Sequence, residues 1–100
     1  MTLPLLSAAM RKGATMHAQG FNFLEAPRAG DMVTCALGAA CHGAGVSVQG
    51  LYQEFPALSS LAIHPVTKVA SRIESLIVSL NDGHRWTRER IADWLAKEGY

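Results

Sequence analysis

Charge is scarce in this chain of 100 residues. Only 17% of it is Asp, Glu, Lys or Arg, and nine basic residues against eight acidic leave a net charge of +1. No bulk field therefore favours nucleic acid or an anionic membrane. Long apolar runs are missing too. None approaches the ~20 residues of a membrane span, so no membrane partner is expected. Cysteine stops at two, with no C-x-x-C, and the four histidines form no H-x-x-x-H. That spacing fits a zinc ligand set weakly, and neither metal nor cofactor is expected. A signal peptide is not expected either. The apolar run in MTLPLLSAAMRKG is short, and Arg11 and Lys12 follow it instead of preceding it. The reading is a cytoplasmic chain with reduced thiols.

What the chain does have is apolar bulk: 49% of its residues are hydrophobic. This is a globular composition. Residues 1–100 read as a single helical domain, and a domain of that size buries ~65% of its unfolded surface, enough for one core without disulfides or metals. The low charge also predicts a partly apolar surface and self-association.

Hydrophobic spacing predicts a mainly α fold, a compact bundle of about four helices around a small-residue central helix. Residues 3–17 place Leu5, Leu6, Ala9, Met10, Gly13 and Met16 on one helical face, with Ser7, Arg11 and Thr15 on the wet side. Thr2 serves as cap, and Pro4 suits the first turn. Residues 20–25 alternate and read as a short strand. Pro27 and Gly30 mark a turn. Val46 and Val48 alternate as well, so residues near 46–52 are expected to pair with 20–25 as a two-stranded ribbon. Residues 65–81 carry the strongest pattern, with Val66, Val69, Ile73, Leu76, Ile77 and Leu80 at helical spacing and Pro65 at the first position. Asn81 or Gly83 is expected to close that helix in the left-handed conformation. The last helix is read over 88–98, capped by Thr87, with Trp86 stapled on Ile91 and Asp93 paired with Lys97.

The segment TCALGAACHGAG, Thr34 to Gly45, is a helix with one large apolar side chain, Leu37. Asp31 or Thr34 is expected to cap it and Gly45 to end it. Cys35 and His42 share a face but sit ~10 Å apart along the axis, too far to converge on one ion. Cys35 and Cys41 are separated by ~9 Å of rise, beyond disulfide reach. Cys35 in a first helical turn is a candidate nucleophile, because free N–H groups there stabilise a thiolate. His17, His64 and His84 are its candidate bases. The competing reading is packing: a helix of Ala, Gly and Cys lets a neighbour approach closely, and the bulky helix 65–81 is the expected neighbour.

Toward the C-terminus, Arg85, Arg88 and Arg90 with His84 form a local basic run, the candidate nucleic-acid patch. Across residues 81–100 four acidic side chains balance four basic ones, so nucleic acid is not the favoured partner. TRERIADWLAKEG looks like the first helix of a helix-turn-helix, but only Tyr100 follows Gly99, and the motif lacks its recognition helix. Asn81, Asp82, His84 and Trp86 are the candidate floor of a small ligand site. The alternative for Asn81 and Asp82 is to satisfy helix-terminal groups of the thin helix.

Several segments taken together resemble a set of short bacterial proteins of unknown function. These are Cys35 to Ala40 with Gly45, then Leu80-Asn81-Asp82, then Trp86-Thr87-Arg88-Glu89 with Ile91-Ala92-Asp93-Trp94. AAMRKGATMH matches a first-helix pattern of the same set. The resemblance implies a shared fold and brings no activity with it.

The favoured functional reading is a small non-enzymatic module that associates with protein, as a homodimer or with a partner. The alternatives are a thiol enzyme or redox sensor using Cys35, and a nucleic-acid accessory protein using the Arg85–Arg90 turn.

Overall fold

The computed structural model of the chain describes residues 5–21, 25–28 and 31–100. Among them are five α-helices and two small sheets, so the fold is mainly α, with more helices and more strand than the hydrophobic pattern predicts.

Helix α1, Leu6–Ala14, is shorter than the expected 3–17. Its N-cap is Leu5, which makes no side-chain cap bond, and Thr2 and Pro4 lie outside the described residues. Leu6, Ala9, Met10 and Gly13 are buried, as the 3.6-residue period requires, whereas Leu5 and Met16 are exposed. Ser7, assigned to the wet side, is buried as well. Its N–H donates to the Tyr100 carbonyl at 2.9 Å, so the first turn of α1 sits against the C-terminal residue.

Strands β1 (Ala18–Gln19), β2 (Glu25–Arg28) and β3 (Asp31–Thr34) form a sheet in the order β1-β3-β2. β3 runs parallel to β1 and antiparallel to β2, with Glu25 opposite Thr34. Pro27, read as a turn residue, lies inside β2. β2 is an edge strand, where the missing N–H of proline is tolerated. Gly30 and residues 22–24 of the expected 20–25 strand lie outside the described residues.

Helix α2, Ala36–Ala44, is the small-residue rod, and Ala36 through Cys41 are buried in sequence. Gly45 ends it with φ 71°. Its N-cap is Cys35, not Asp31 or Thr34, because both of those residues complete β3. The expected neighbour, helix 65–81, touches α2 through its residues 73–78, but the closest approach is to α1. A Cβ on Gly13 would lie 1.6 Å from the Ala39 carbonyl oxygen, and one on Gly43 would lie 1.8 Å from the Ala9 oxygen. The two backbones meet with no side chain between them.

The ribbon expected near 46–52 is contradicted. Helix α3, Val48–Glu54, occupies that stretch, and a 3₁₀ turn, Pro56–Ser59, follows. Ser47 decides the outcome: its Oγ accepts from Gly50 N–H at 3.2 Å, and the alternation ends at a helix cap. Leu51 and Phe55, four residues apart, then bury one face.

The helix expected over 65–81 exists only in its second half. Residues 61–72 form a hairpin of β4 (Leu61–Ile63) and β5 (Ala70–Arg72). Helix α4, Ile73–Val78, runs into a wide π-helical turn, Ser79–Gly83. The chain begins a helical turn at His64 and does not continue it. His64 Nδ1 accepts the N–H groups of Val66 (3.0 Å) and Thr67 (3.1 Å), and Lys68 N–H donates to the His64 carbonyl at 3.0 Å. Lys68 then takes the left-handed conformation, φ 64°, which ends the turn and leads the chain back as β5. Ile73, Leu76, Ile77 and Leu80 enter the core, while Val66 and Val69 stay exposed.

Helix α5, Arg88–Lys97, is capped by Thr87, whose Oγ1 accepts from Arg90 N–H at 3.1 Å. Ile91, Ala92 and Leu95 are buried. The left-handed residue before α5 is Arg85 (φ 56°), not Asn81 or Gly83. Asp93 reaches back to Arg11 on α1 instead of pairing with Lys97. No helix among the described residues is long and apolar enough to cross a membrane.

Candidate functional site

The π-helical turn after α4 aims Asn81 inward, where it is 1% exposed. Its Oδ1 accepts from Ala36 N–H (3.1 Å) and from Gln19 Nε2 (2.9 Å). Its Nδ2 donates to the Gly20 carbonyl (3.0 Å) and to Asp82 Oδ1 (2.7 Å). Two accepted and two donated bonds exhaust a carboxamide. Asn81 thus closes the first free N–H of α2, ties that helix to β1, and keeps no capacity for a ligand. Gln19, which sequence reading missed, also donates to the Trp86 carbonyl at 2.8 Å. Within the expected floor of Asn81, Asp82, His84 and Trp86, Asn81 is thus committed to a structural junction with Gln19, Asp82 and, through Gln19, the Trp86 carbonyl. Trp86 carries the Arg90 guanidinium 3.8 Å from its ring, and His84 lies against His64 with ring centroids 5.0 Å apart.

Cys35 is buried. Its Sγ accepts from Gly38 N–H at 3.4 Å, as an N-cap does. Burial pushes its thiol up, outweighing the lowering effect of the Gly38 and Leu37 backbone groups. Burial likewise raises Cys41, helped by the nearby Cys35 and Glu25 charges. These are not activated thiols. Alkylation of the folded protein at pH 8 should run at least about tenfold slower than in denaturant, with Cys35 the slower of the two. A stopped assay with mass mapping of labelled peptides reads this directly. Fast native labelling of Cys35 would restore the thiol reading.

The three arginines do not share a surface. Arg88 is buried, donating from Nη1 to Thr34 Oγ1 (3.0 Å) and from Nη2 to the Ala14 carbonyl (3.2 Å) at the end of α1. Its Nε has no hydrogen-bond partner among the described residues. Arg85 lies over the Phe21 ring at 4.1 Å, and Arg90 over Trp86. The basic run in the sequence is thus divided between a core clamp and two separate ring contacts.

Histidine chemistry gathers elsewhere. His17 lies beyond α1, half-buried, with its ring edge-on to His42 at 4.8 Å. Its Nδ1 is buried without a partner among the described residues. His42 Nε2 pairs with Glu25 Oε2 at 2.5 Å, on the rim of a groove of about 380 Å³ that Cys41, Val46 and Val48 also line. Among the described residues no group of three or more His, Cys, Asp and Glu is arranged to hold a metal.

His64 is buried at the root of the β4–β5 loop. Because Nδ1 accepts two backbone N–H groups, the proton sits on Nε2, which donates to Ser79 Oγ at 3.1 Å. Burial, then His84 and Lys68, lowers its pKa below 6.5. The unfolded chain takes up this proton near pH ~6.5, the folded chain only at lower pH. The stabilisation is therefore complete above that value and is lost as pH falls through the folded pKa. The urea midpoint should drop between pH 7 and 5, and His64→Gln should flatten that drop.

The loop that His64 organises exposes apolar side chains. Leu61 is 73% exposed, Val69 63% and Ile63 53%, with Val66 beside them. Leu61 and Ile63 share the outer face of the hairpin, whereas Val69, paired with His64, lies on the inner side, which with His64 and Ser71 faces Ser75, Leu76 and Ser79 across a shallow cleft. From Pro56 to Thr67 the chain carries no Asp, Glu, Lys or Arg. Sequence reading had assigned Val66 and Val69 to the core, so this surface was not foreseen. No protein-family model, no curated protein and no solved structure matches this chain.

Proposed function

We propose that the protein is a non-enzymatic helical module of the cytoplasm that acts by binding protein, a partner or a copy of itself, through the β4–β5 hairpin. The observation that carries this reading is the exposure of four large apolar side chains in one hairpin, Leu61 and Ile63 on its outer face and Val66 and Val69 toward its loop end. Covering an exposed Leu or Ile contributes about 1.5–3 kcal/mol, and a few such side chains form the centre of a typical interface. The thiol reading is disfavoured by the burial of Cys35, and the nucleic-acid reading by the burial of Arg88. A fold shared with the short bacterial proteins of the resemblance fits as well. Ala36, Asn81 and Trp86 come from its separate segments and meet at one hydrogen-bonded junction through Gln19.

The test compares the wild-type chain with a Leu61→Lys/Val69→Lys variant by light scattering and by affinity capture. The expected result is self-association, or one retained protein, in the wild type and neither in the variant, with helical circular dichroism unchanged. A monomeric wild type that retains nothing the variant does not retain overturns the reading.

A further inference from the structure

The hairpin has two edges, and they differ. In an antiparallel ladder, residues alternate between those whose N–H and C=O face the partner strand and those whose groups face away. Ser60 C=O accepts from Ile73 N–H, and His64 N–H donates to Val69 C=O, both at 2.9 Å. Even-numbered residues of β4 therefore face β5, and Leu61 and Ile63 turn their N–H and C=O groups to the outer edge. Among the described residues no strand pairs with that edge. The β5 edge is guarded by Arg72, 3.9 Å from Glu74, and is preceded by Lys68. The β4 edge has no charge from Pro56 to Thr67. Charged residues are the usual protection of an exposed edge, and only one edge here has it.

We infer that the outer edge of β4 pairs antiparallel with β4 of a second copy of this chain, centred on Ala62. The inference rests on the association reading above and names its partner. The strand is self-complementary. A two-fold axis through Ala62 sets Leu61 opposite the second copy's Ile63, and the reverse, so the residues with outward backbone groups meet as hydrogen-bonded pairs. All four side chains then lie on one face of a four-stranded sheet. Two uncharged edges approach without like-charge repulsion, whereas pairing through β5 would bring two Arg72 side chains together. The charged β5 edges remain outermost, which closes the assembly as a dimer instead of a fibre. Pairing over so few residues stays below the ~1,200 Å² of a standard interface, so the dimer is reversible and forms as chain concentration rises.

The experiment uses the full chain under mild oxidation. In Ala62→Cys the new thiols face each other across the axis, with Cα atoms ~4.5 Å apart at a non-hydrogen-bonded position, within disulfide reach. In Ser60→Cys they are displaced by ~13 Å along the strands and cannot bridge. The native thiols are buried and do not compete. The expected result is a covalent dimer from Ala62→Cys alone, and weight-average mass rising with concentration for the wild type. Adding Ile63→Pro removes the outward N–H without breaking the β4–β5 ladder, and it should cut the crosslink at least tenfold. Ile63→Lys reads the same edge through charge if the proline variant fails to fold. Equal crosslinking at positions 60 and 62, or a wild type that is monomeric at millimolar concentration, overturns the self-pairing. If the chain is monomeric but the Leu61→Lys/Val69→Lys variant still loses a different captured protein, only the self-pairing falls. If nothing is captured, the association reading falls with it.

Discussion

Gly13→Ala should destabilise the protein by at least about 3 kcal/mol, read as a fall in the urea midpoint. The sign is the informative part. In an ordinary helix the same change is stabilising by ~1 kcal/mol, because alanine loses less backbone freedom. Here the added Cβ would sit 1.6, 2.4 and 2.8 Å from the oxygen, carbonyl carbon and Cα of Ala39. All three are backbone atoms of α2 and have no rotamer to escape into. The helices must separate, which opens space around Leu6, Met10 and Ala40 at the centre of the core. Gly43→Ala, facing the Ala9 and Gly13 backbone, should behave alike, and the double variant should cost less than the sum because the first change has already parted the helices. Gly83→Ala is the control: its nearest neighbour is Ser79 Oγ at 3.9 Å, and the change should stay within about 0.5 kcal/mol.

Asn81→Ala is the second large effect, about 3–5 kcal/mol. It strands the buried N–H of Ala36 and the carbonyl of Gly20, each costing ~1–3 kcal/mol when left unpaired, and it releases Gln19. Asn81→Asp separates the two halves of that role. The carboxylate still accepts from Ala36 and Gln19 but has nothing to donate to Gly20, and it stands beside the Asp82 carboxylate. Burial and that neighbour raise its folded pKa above the ~3.9 of an unfolded aspartate. The variant should match a carboxamide best at low pH, where the protonated form donates, and lose stability as pH rises past ~3.9 until the folded carboxyl is ionised. Denaturant midpoints against pH for the two variants make the comparison, and a flat profile for Asn81→Asp would place the residue outside the junction described.

The sequence was most legible where one pattern met no rival. α5 has a Thr cap, a clean stripe and a Gly after its end, and its observed bounds differ from the reading by one residue at the far end. The thin central rod was legible because its Ala, Gly and Cys content has few uses other than close packing. Its partner was not, because a glycine in α1 reads as a weak helix position and not as a contact. The 65–81 segment failed for a different reason. Helical spacing of Val66 and Val69 with the Ile73–Leu80 set is real, but the turn begun at His64 stops at Lys68, whose φ of 64° leads the chain back. Periodicity carries no record of one left-handed residue. The same holds for the basic run: spacing brought Arg85, Arg88 and Arg90 together, and a left-handed residue at 85 followed by a helix start at 88 separated them. The candidate surface was hidden by success elsewhere, since every Val given to a core stripe is one fewer to expose.

The contact between Ser7 and Tyr100 has a consequence for the order of events in folding. α1 begins without a side-chain cap, and the acceptor for its Ser7 amide is the carbonyl of Tyr100. During synthesis the group that finishes the opening turn of α1 therefore leaves the ribosome only after α5 has been made. Until then Gly13 of α1 has α2 as its partner while the opening turn of the helix stays unfinished.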